Sequence, residues 1–105
     1  MKENVKNLTI EHNEKLKRFE AEVEGEVAFV EYERPEKGSI VFTHTIVPPP
    51  LEGRGVGSEL AHAALEYARL QHLKIVPQCV FINAYVRRHS EYQSLVDSGR
   101  SHAGN

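Results

Sequence analysis

The chain has 105 residues, 40% of them hydrophobic and 27% charged, with a formal net charge of −2. That length suggests one domain over residues 1–105, and the near-neutral balance argues against a dedicated nucleic-acid binder, which carries a basic excess. No apolar run approaches the ~20 residues of a membrane span, the first residues lack a signal peptide's apolar stretch, and the single cysteine, Cys79, cannot form an internal disulfide, so an intracellular, by default cytoplasmic, location is expected. The six histidines do not form the paired Cys/His spacing of a zinc site, and no metal is expected.

Taken in order, a short first strand is expected around Leu8 to His12. The segment "RFEAEVEGEVAFVEYER" then alternates as half-exposed strands do. Phe19, Ala21 and Val23 point one way. Glu20, Glu22, Glu24 and Glu26 fall at every second position and read as a solvated face, or alternatively as an acidic rim for a basic substrate. Glu24-Gly25 marks a hairpin turn, since glycine tolerates the positive φ such turns need. Val27 to Tyr32 returns as a second strand of that hairpin, and "RPEKGS" is a further turn. "IVFTHTIV", Ile40 to Val47, is rich in β-branched residues and is the next strand. Together these pieces predict an antiparallel meander.

Pro48, Pro49 and Pro50 end that strand, because proline cannot donate to a ladder. Ala61, Ala64, Leu65 and Ala68 fall at i, i+3, i+4 and i+7, the apolar stripe of an amphipathic helix, expected from Val56 to His72. "KIVPQCVFI" reads as a buried strand, residues 74–82, broken by Pro77. A second helix is expected from Asn83, a fair N-cap, with Tyr85, Val86, His89, Tyr92 and Val96 at helical spacings. Residues 97–105 read as a flexible tail. Strand, helix and strand over 40–82 form a crossover that places two parallel strands side by side. The predicted fold is α/β (α+β), a mixed, mostly antiparallel sheet with two main helices.

The informative stretch is "VPPPLEGRGVGSELAHAALEYA". A glycine-rich loop entering a helix offers unpaired backbone N–H groups and the positive end of the helix dipole, which together favour an anion. Missing Cβ atoms would let a phosphate approach. The lack of a Gly-Lys-Ser/Thr ending excludes a Walker loop, and G-x-G-x-G is not the dinucleotide spacing. A tight turn needing glycine for geometry alone is the competing reading.

"LEGRGVGSEL" resembles the acetyl-coenzyme A loop of the GNAT N-acetyltransferase superfamily, commonly Gln/Arg-x-x-Gly-x-Gly/Ala. Here it runs Glu52, Gly53, Arg54, Gly55, Val56, Gly57, with a carboxylate at the first position. The His-Thr-x-Val strand end, the Pro-x-Cys strand and the Arg-His-x-x-Tyr helix resemble the very small single-cysteine (YjdJ-type) branch. The resemblance implies a splayed strand pair forming a coenzyme A cleft. It implies that the pyrophosphate of acetyl-coenzyme A sits on residues 53–58 (Gly53, Arg54, Gly55, Val56, Gly57, Ser58), with backbone near Ile46 and Val47 polarising the thioester. Arg54, Arg87 and Arg88 are candidates for the phosphates, and Asn83 joins the cofactor set. Cys79 is a candidate acyl carrier, or a small buried hydrophobe. His44 is a candidate base, for the amine or for Cys79, and Tyr92 a candidate acid. The implied activity is acetyl transfer from an acyl-coenzyme A to an amine on a protein, a peptide or a small molecule. A non-catalytic acyl-coenzyme A-binding or sensing domain, and an interaction module without ligand, are the other readings. The oligomeric state is not indicated.

Overall fold

A computed structural model describes residues 3–97. Five strands form one sheet in the order β1 (Glu11–Asn13), β2 (Arg18–Val23), β3 (Glu26–Glu33), β4 (Ser39–Ile46) and β5 (Lys74–Pro77). The first four are antiparallel, and β5 runs parallel to β4 after the crossover helix α1 (Val56–Leu70). A second helix, α2 (Val80–Arg88), and a 3₁₀ segment, Ser90–Leu95, complete the domain. No helix among the described residues is long and apolar enough to cross a membrane.

The β2–β3 hairpin turns on Glu24 and Gly25, both at positive φ (54° and 82°), the pair of left-handed residues that a two-residue hairpin uses. That turn corrects the reading of the four alternating glutamates as one face. Glu20 and Glu22 lie opposite Phe29 and Val27. Glu24 belongs to the turn, and Glu26 shares the parity of the buried Ala28 and Val30.

One core lies on one face of the sheet. Phe19, Val30, Ile40 and Phe42 pack there against the α1 stripe Leu60, Ala61, Ala64, Leu65 and Ala68, all buried. Alanines at three of those five positions let the helix approach closely, and each buried leucine contributes roughly 1.5–3 kcal/mol. α2 adds Ile82, Tyr85 and Val86 to the same core, so both helices cover one face. The other face carries Arg18, whose guanidinium lies 4.4 Å from the Phe29 ring centroid, and no helix among the described residues covers it.

Several expected boundaries move. The first strand forms at 11–13 rather than 8–12; Leu8 and Ile10 pack against the core without joining the ladder. Helix α1 ends at Leu70, two residues early, because His72 takes a left-handed φ of 59°. The strand expected over 74–82 stops at Pro77, which has no N–H to continue the ladder. The chain then caps α2 with Cys79, not Asn83. Cys79 is extended (φ −73°, ψ 128°) and its carbonyl accepts the Asn83 N–H, so Asn83 is already inside the helix. The helix ends at Arg88, before Tyr92 and Val96. Of the expected tail, Asp97 donates its N–H to Ile75 of β5 at 2.9 Å, and residues 98–105 lie outside the described residues.

At the far edge, His12 of β1 stacks on Phe19 (centroids 4.1 Å apart, 11° between planes), and its Nε2 lies 2.7 Å from the Tyr32 hydroxyl. Burial pushes the His12 imidazole below its usual range, against the raising effect of Glu14, and Arg34 adds to the lowering. The sign follows from linkage. As pH falls through 6.5, the unfolded chain takes up a proton that folded His12 resists, so stability drops below neutrality and is unaffected above it. A melting-temperature series from pH 8 to 5 is expected to slope downward below pH 7, and the slope is expected to shrink in His12→Phe, which keeps the stacking and cannot titrate.

Candidate active site

β4 outruns its parallel partner. The last ladder pair is Phe42 with Pro77, and one further bond joins the Cys79 N–H to the Phe42 carbonyl at 2.9 Å. Beyond it the two chains part, because β5 has turned into α2. The space between holds a cavity of about 540 Å³. Its walls are the end of β4 and the residue after it (Thr45, Ile46, Val47), the loop at the head of α1, and Phe81 from the first turn of α2.

The loop's conformation explains its glycines. The prolines form a 3₁₀ turn, Pro49–Leu51, that buries Leu51. Gly53 and Gly55 follow at φ 75° and 82°, where a side chain is strained. Gly55 is the N-cap of α1, and its carbonyl accepts the first intrahelical bond, from the Glu59 N–H at 3.1 Å. The N–H groups of Val56, Gly57 and Ser58 come before that donor and have no carbonyl in the preceding turn to bond. All three residues line the cavity. A positive helix end and an open wall made partly of glycine therefore face the same space, which suits an anionic group.

Gly57 is needed for another reason. Its φ is ordinary, and a Cβ there would meet Phe81 Cζ at 3.0 Å. A packing role between α1 and α2 thus stands beside its place in the cavity wall. Gly57→Ala is accordingly expected to lower the melting temperature, and Phe81→Leu in the same chain to recover part of that loss in a thermal scan.

Of the expected cofactor residues, Ile46, Val47, Gly53, Gly55, Val56, Gly57 and Ser58 come together around the cavity, with Glu52 at its wall. The others do not. Arg54 turns away from the cavity; Nη1 and Nη2 donate to the two oxygens of Glu24 at 3.2 and 3.3 Å, and Nε donates to the Glu3 carbonyl. Arg87 and Arg88 are exposed in the last turn of α2, at the opposite end from Phe81. They complement the helix dipole there rather than line the cavity. Asn83 lies one turn into α2, outside the lining.

The three expected catalytic residues separate. Cys79 is buried, 6% exposed, with Sγ 3.1 Å from the Thr45 hydroxyl, and Thr45 lines the cavity. His44 is on the other side of the sheet, for a reason the backbone makes plain. Tyr32 pairs with Phe42 and Glu31 with His44, so Thr43 is an extra residue, a β-bulge, and its hydroxyl donates to the Glu31 carbonyl at 3.3 Å. The bulge inverts the alternation. Strict period two would put His44 on the side of Ile40 and Phe42. Instead Thr45 pairs with core-facing Val30, while His44 faces out with Glu31, its Nδ1 3.4 Å from Glu31 Oε1. The expectation that His44 activates Cys79 is thereby corrected. Tyr92 is also corrected. It is buried on the 3₁₀ segment, and its hydroxyl donates to Glu66 of α1 at 2.6 Å, beside His62 at 3.2 Å. Burial, reinforced by the Glu66 charge, raises the Tyr92 phenol well above its usual range. Arg69 and Tyr92 hold the Glu66 carboxyl down to about 2. This cluster pins the 3₁₀ segment to α1 outside the cavity lining.

A mixed sheet splayed at its parallel pair, with a glycine loop opening a helix into the gap, gives a cleft whose wall suits an anionic ligand. The chain belongs to the GCN5-related N-acetyl-transferase family, whose model matches residues 18–95. It is an N-acetyltransferase-type enzyme of that family, and the family generally uses acetyl-coenzyme A. Among relatives, it is 31% identical over 91 residues to Protein NATD1 of Xenopus tropicalis, covering 85% of this chain and 84% of that one. It is 32% identical over 90 residues to Protein NATD1 of Gallus gallus, covering 84% and 82%. A solution NMR structure of a Staphylococcus aureus protein described as GCN5-like superposes with a TM-score of 0.69 at 29% identity, over 96% of this chain and 99% of that one.

Thr45 and Phe81 line the cavity and were not singled out from the sequence. The signal for Thr45 was the bulge, which no local pattern announces. For Phe81 it was the helix start at residue 80, hidden by the apolar run that read as strand.

Proposed function

We propose that this protein transfers an acetyl group from acetyl-coenzyme A to a primary amine in one step. The cofactor's pyrophosphate would rest on the loop N–H groups of residues 56–58 and its arm would follow the free edge of β4, with backbone at Ile46 or Val47 facing the thioester oxygen. The glycine loop and the 540 Å³ cavity fit that group. Bound acetyl-coenzyme A would supply an electrophilic thioester carbonyl to the amine: the new nitrogen–carbon bond would replace the carbon–sulfur bond, and the amine's second proton would end on the departing coenzyme A sulfur.

The observation that carries the one-step reading is the His44–Glu31 pair on the helix-free face, adjoining Thr45 and Ile46 of the cavity wall. With both helices on one face, the acceptor reaches the thioester from the other. His44, its Nδ1 beside Glu31, takes the ammonium proton there at Nε2. Cys79 with Thr45 supports a second reading, transfer through an acetylated Cys79. The thiol lies beside the wall, at the N-cap of a nine-residue helix and within 3.1 Å of the Thr45 hydroxyl. A non-catalytic coenzyme A-binding domain is the third. Release of free thiol from acetyl-coenzyme A, followed across a panel of small amines, lysine peptides and N-terminal peptides, tests the proposal. Amine-dependent release supports transfer; tight coenzyme A binding with no release for any amine would leave the binding domain as the function.

A further inference from the structure

We infer that Glu24 and the amino-terminal strap, residues 3–5, are positioning elements of the cofactor loop, acting through Arg54. The inference rests on the cofactor reading of that loop. Gly53 and Gly55 face the cavity, and Arg54 between them is turned back. All three kinds of guanidinium nitrogen are engaged: Nη1 and Nη2 on the two Glu24 oxygens, and Nε on the Glu3 carbonyl. The Arg54 carbonyl in turn accepts the Val5 N–H at 2.9 Å. The Asn4 carboxamide packs on Gly55, where an added Cβ would stand 3.1 Å from its Cγ. Two segments distant in sequence thus meet behind the loop: the strap and the β2–β3 turn. The Arg54 side chain is only 21% exposed, and the paired guanidinium holds Glu24 below the usual carboxylate range.

The physical role is to fix backbone that is otherwise loose. A segment with two left-handed glycines has many unfolded-like alternatives, and ordering it on binding costs conformational entropy. A loop held from behind binds with that cost already met, which raises affinity without adding a contact to the ligand. The fork geometry of arginine suits this use, and lysine cannot reproduce it.

Two readouts test the idea on the full-length protein. In the free protein, Glu24→Ala is expected to speed backbone hydrogen exchange at residues 53–58 while the interior of α1 keeps its protection. In calorimetry, Glu24→Ala and Arg54→Lys are each expected to weaken coenzyme A binding about fivefold, the scale of a well-formed exposed pair. KM for acetyl-coenzyme A should rise with kcat little changed. The swap Glu24→Arg with Arg54→Glu is expected to bind tighter than Arg54→Glu alone. If Arg54 instead touches phosphate directly, Glu24→Ala frees it and binding tightens, and the swap gains nothing; either result overturns the inference. Unchanged exchange and affinity in Glu24→Ala overturn it as well. Failure of the unmodified protein to bind coenzyme A would overturn the cofactor reading itself, and this inference with it.

Discussion

Gly55→Val is expected to reduce coenzyme A affinity by at least ~100-fold while the domain stays folded. Three conditions meet at this one residue. Its φ of 82° lies where a β-branched side chain is an outlier, and that strain costs on the order of 1–3 kcal/mol. An added Cβ would press on Asn4 at 3.1 Å. It is also the N-cap of α1, so any relief of strain rotates the peptides that aim the N–H groups of residues 56–58. The helix itself survives, because its stability comes from the buried stripe Leu60 to Ala68 rather than from its first residue. Gly55→Asn separates strain from space, since asparagine tolerates the left-handed region better than valine does, and is expected to keep more affinity. Calorimetry with coenzyme A, beside a thermal scan, reads both quantities. A folded valine variant with unchanged affinity would mean that the loop is a turn and not a cradle.

The second large effect concerns the base. His44→Gln is expected to lower kcat by about 10²–10⁴ at neutral pH, the usual contribution of a positioned proton acceptor. The loss should shrink as pH rises, because an amine that is already deprotonated needs no base. Glu31→Gln, which leaves the imidazole without its carboxylate partner, is expected to cause a smaller loss of the same shape. In one-step transfer Cys79→Ala keeps most of its turnover, and incubation with acetyl-coenzyme A alone adds no mass to the protein. An acetyl adduct that hydroxylamine removes at neutral pH, lost in Cys79→Ser together with turnover, would assign the reaction to the cysteine. Intact-protein mass spectrometry and pH–rate profiles decide, and the two routes predict opposite outcomes for the same variants.

Features with a local cause were legible in the sequence. Period-two alternation marked β2 and β3, β-branched content marked β4, and period 3.6 marked α1, because each pattern reflects how side chains sit on a face. The hairpin at Glu24-Gly25 and the glycine loop at the head of α1 were legible because positive φ has few residues to choose from. The strand–helix–strand crossover followed from those pieces in order. What remained depended on pairings between distant segments. The bulge at Thr43 exists only because β4 aligns with β3 from Glu31 to Glu33 with one residue to spare, and that residue alone sends His44 to one face and Thr45 to the other. Arg54 read as a phosphate ligand because its charge is visible in the sequence, whereas the Glu24 that holds it lies thirty residues away. Tyr92 likewise read as a free acid until Glu66, twenty-six residues back, took its proton donor. The apolar run after Pro77 read as a continuation of the strand. The tertiary structure chose helix, because a proline without an N–H ended the ladder with Phe42 and left Cys79 to begin a new element.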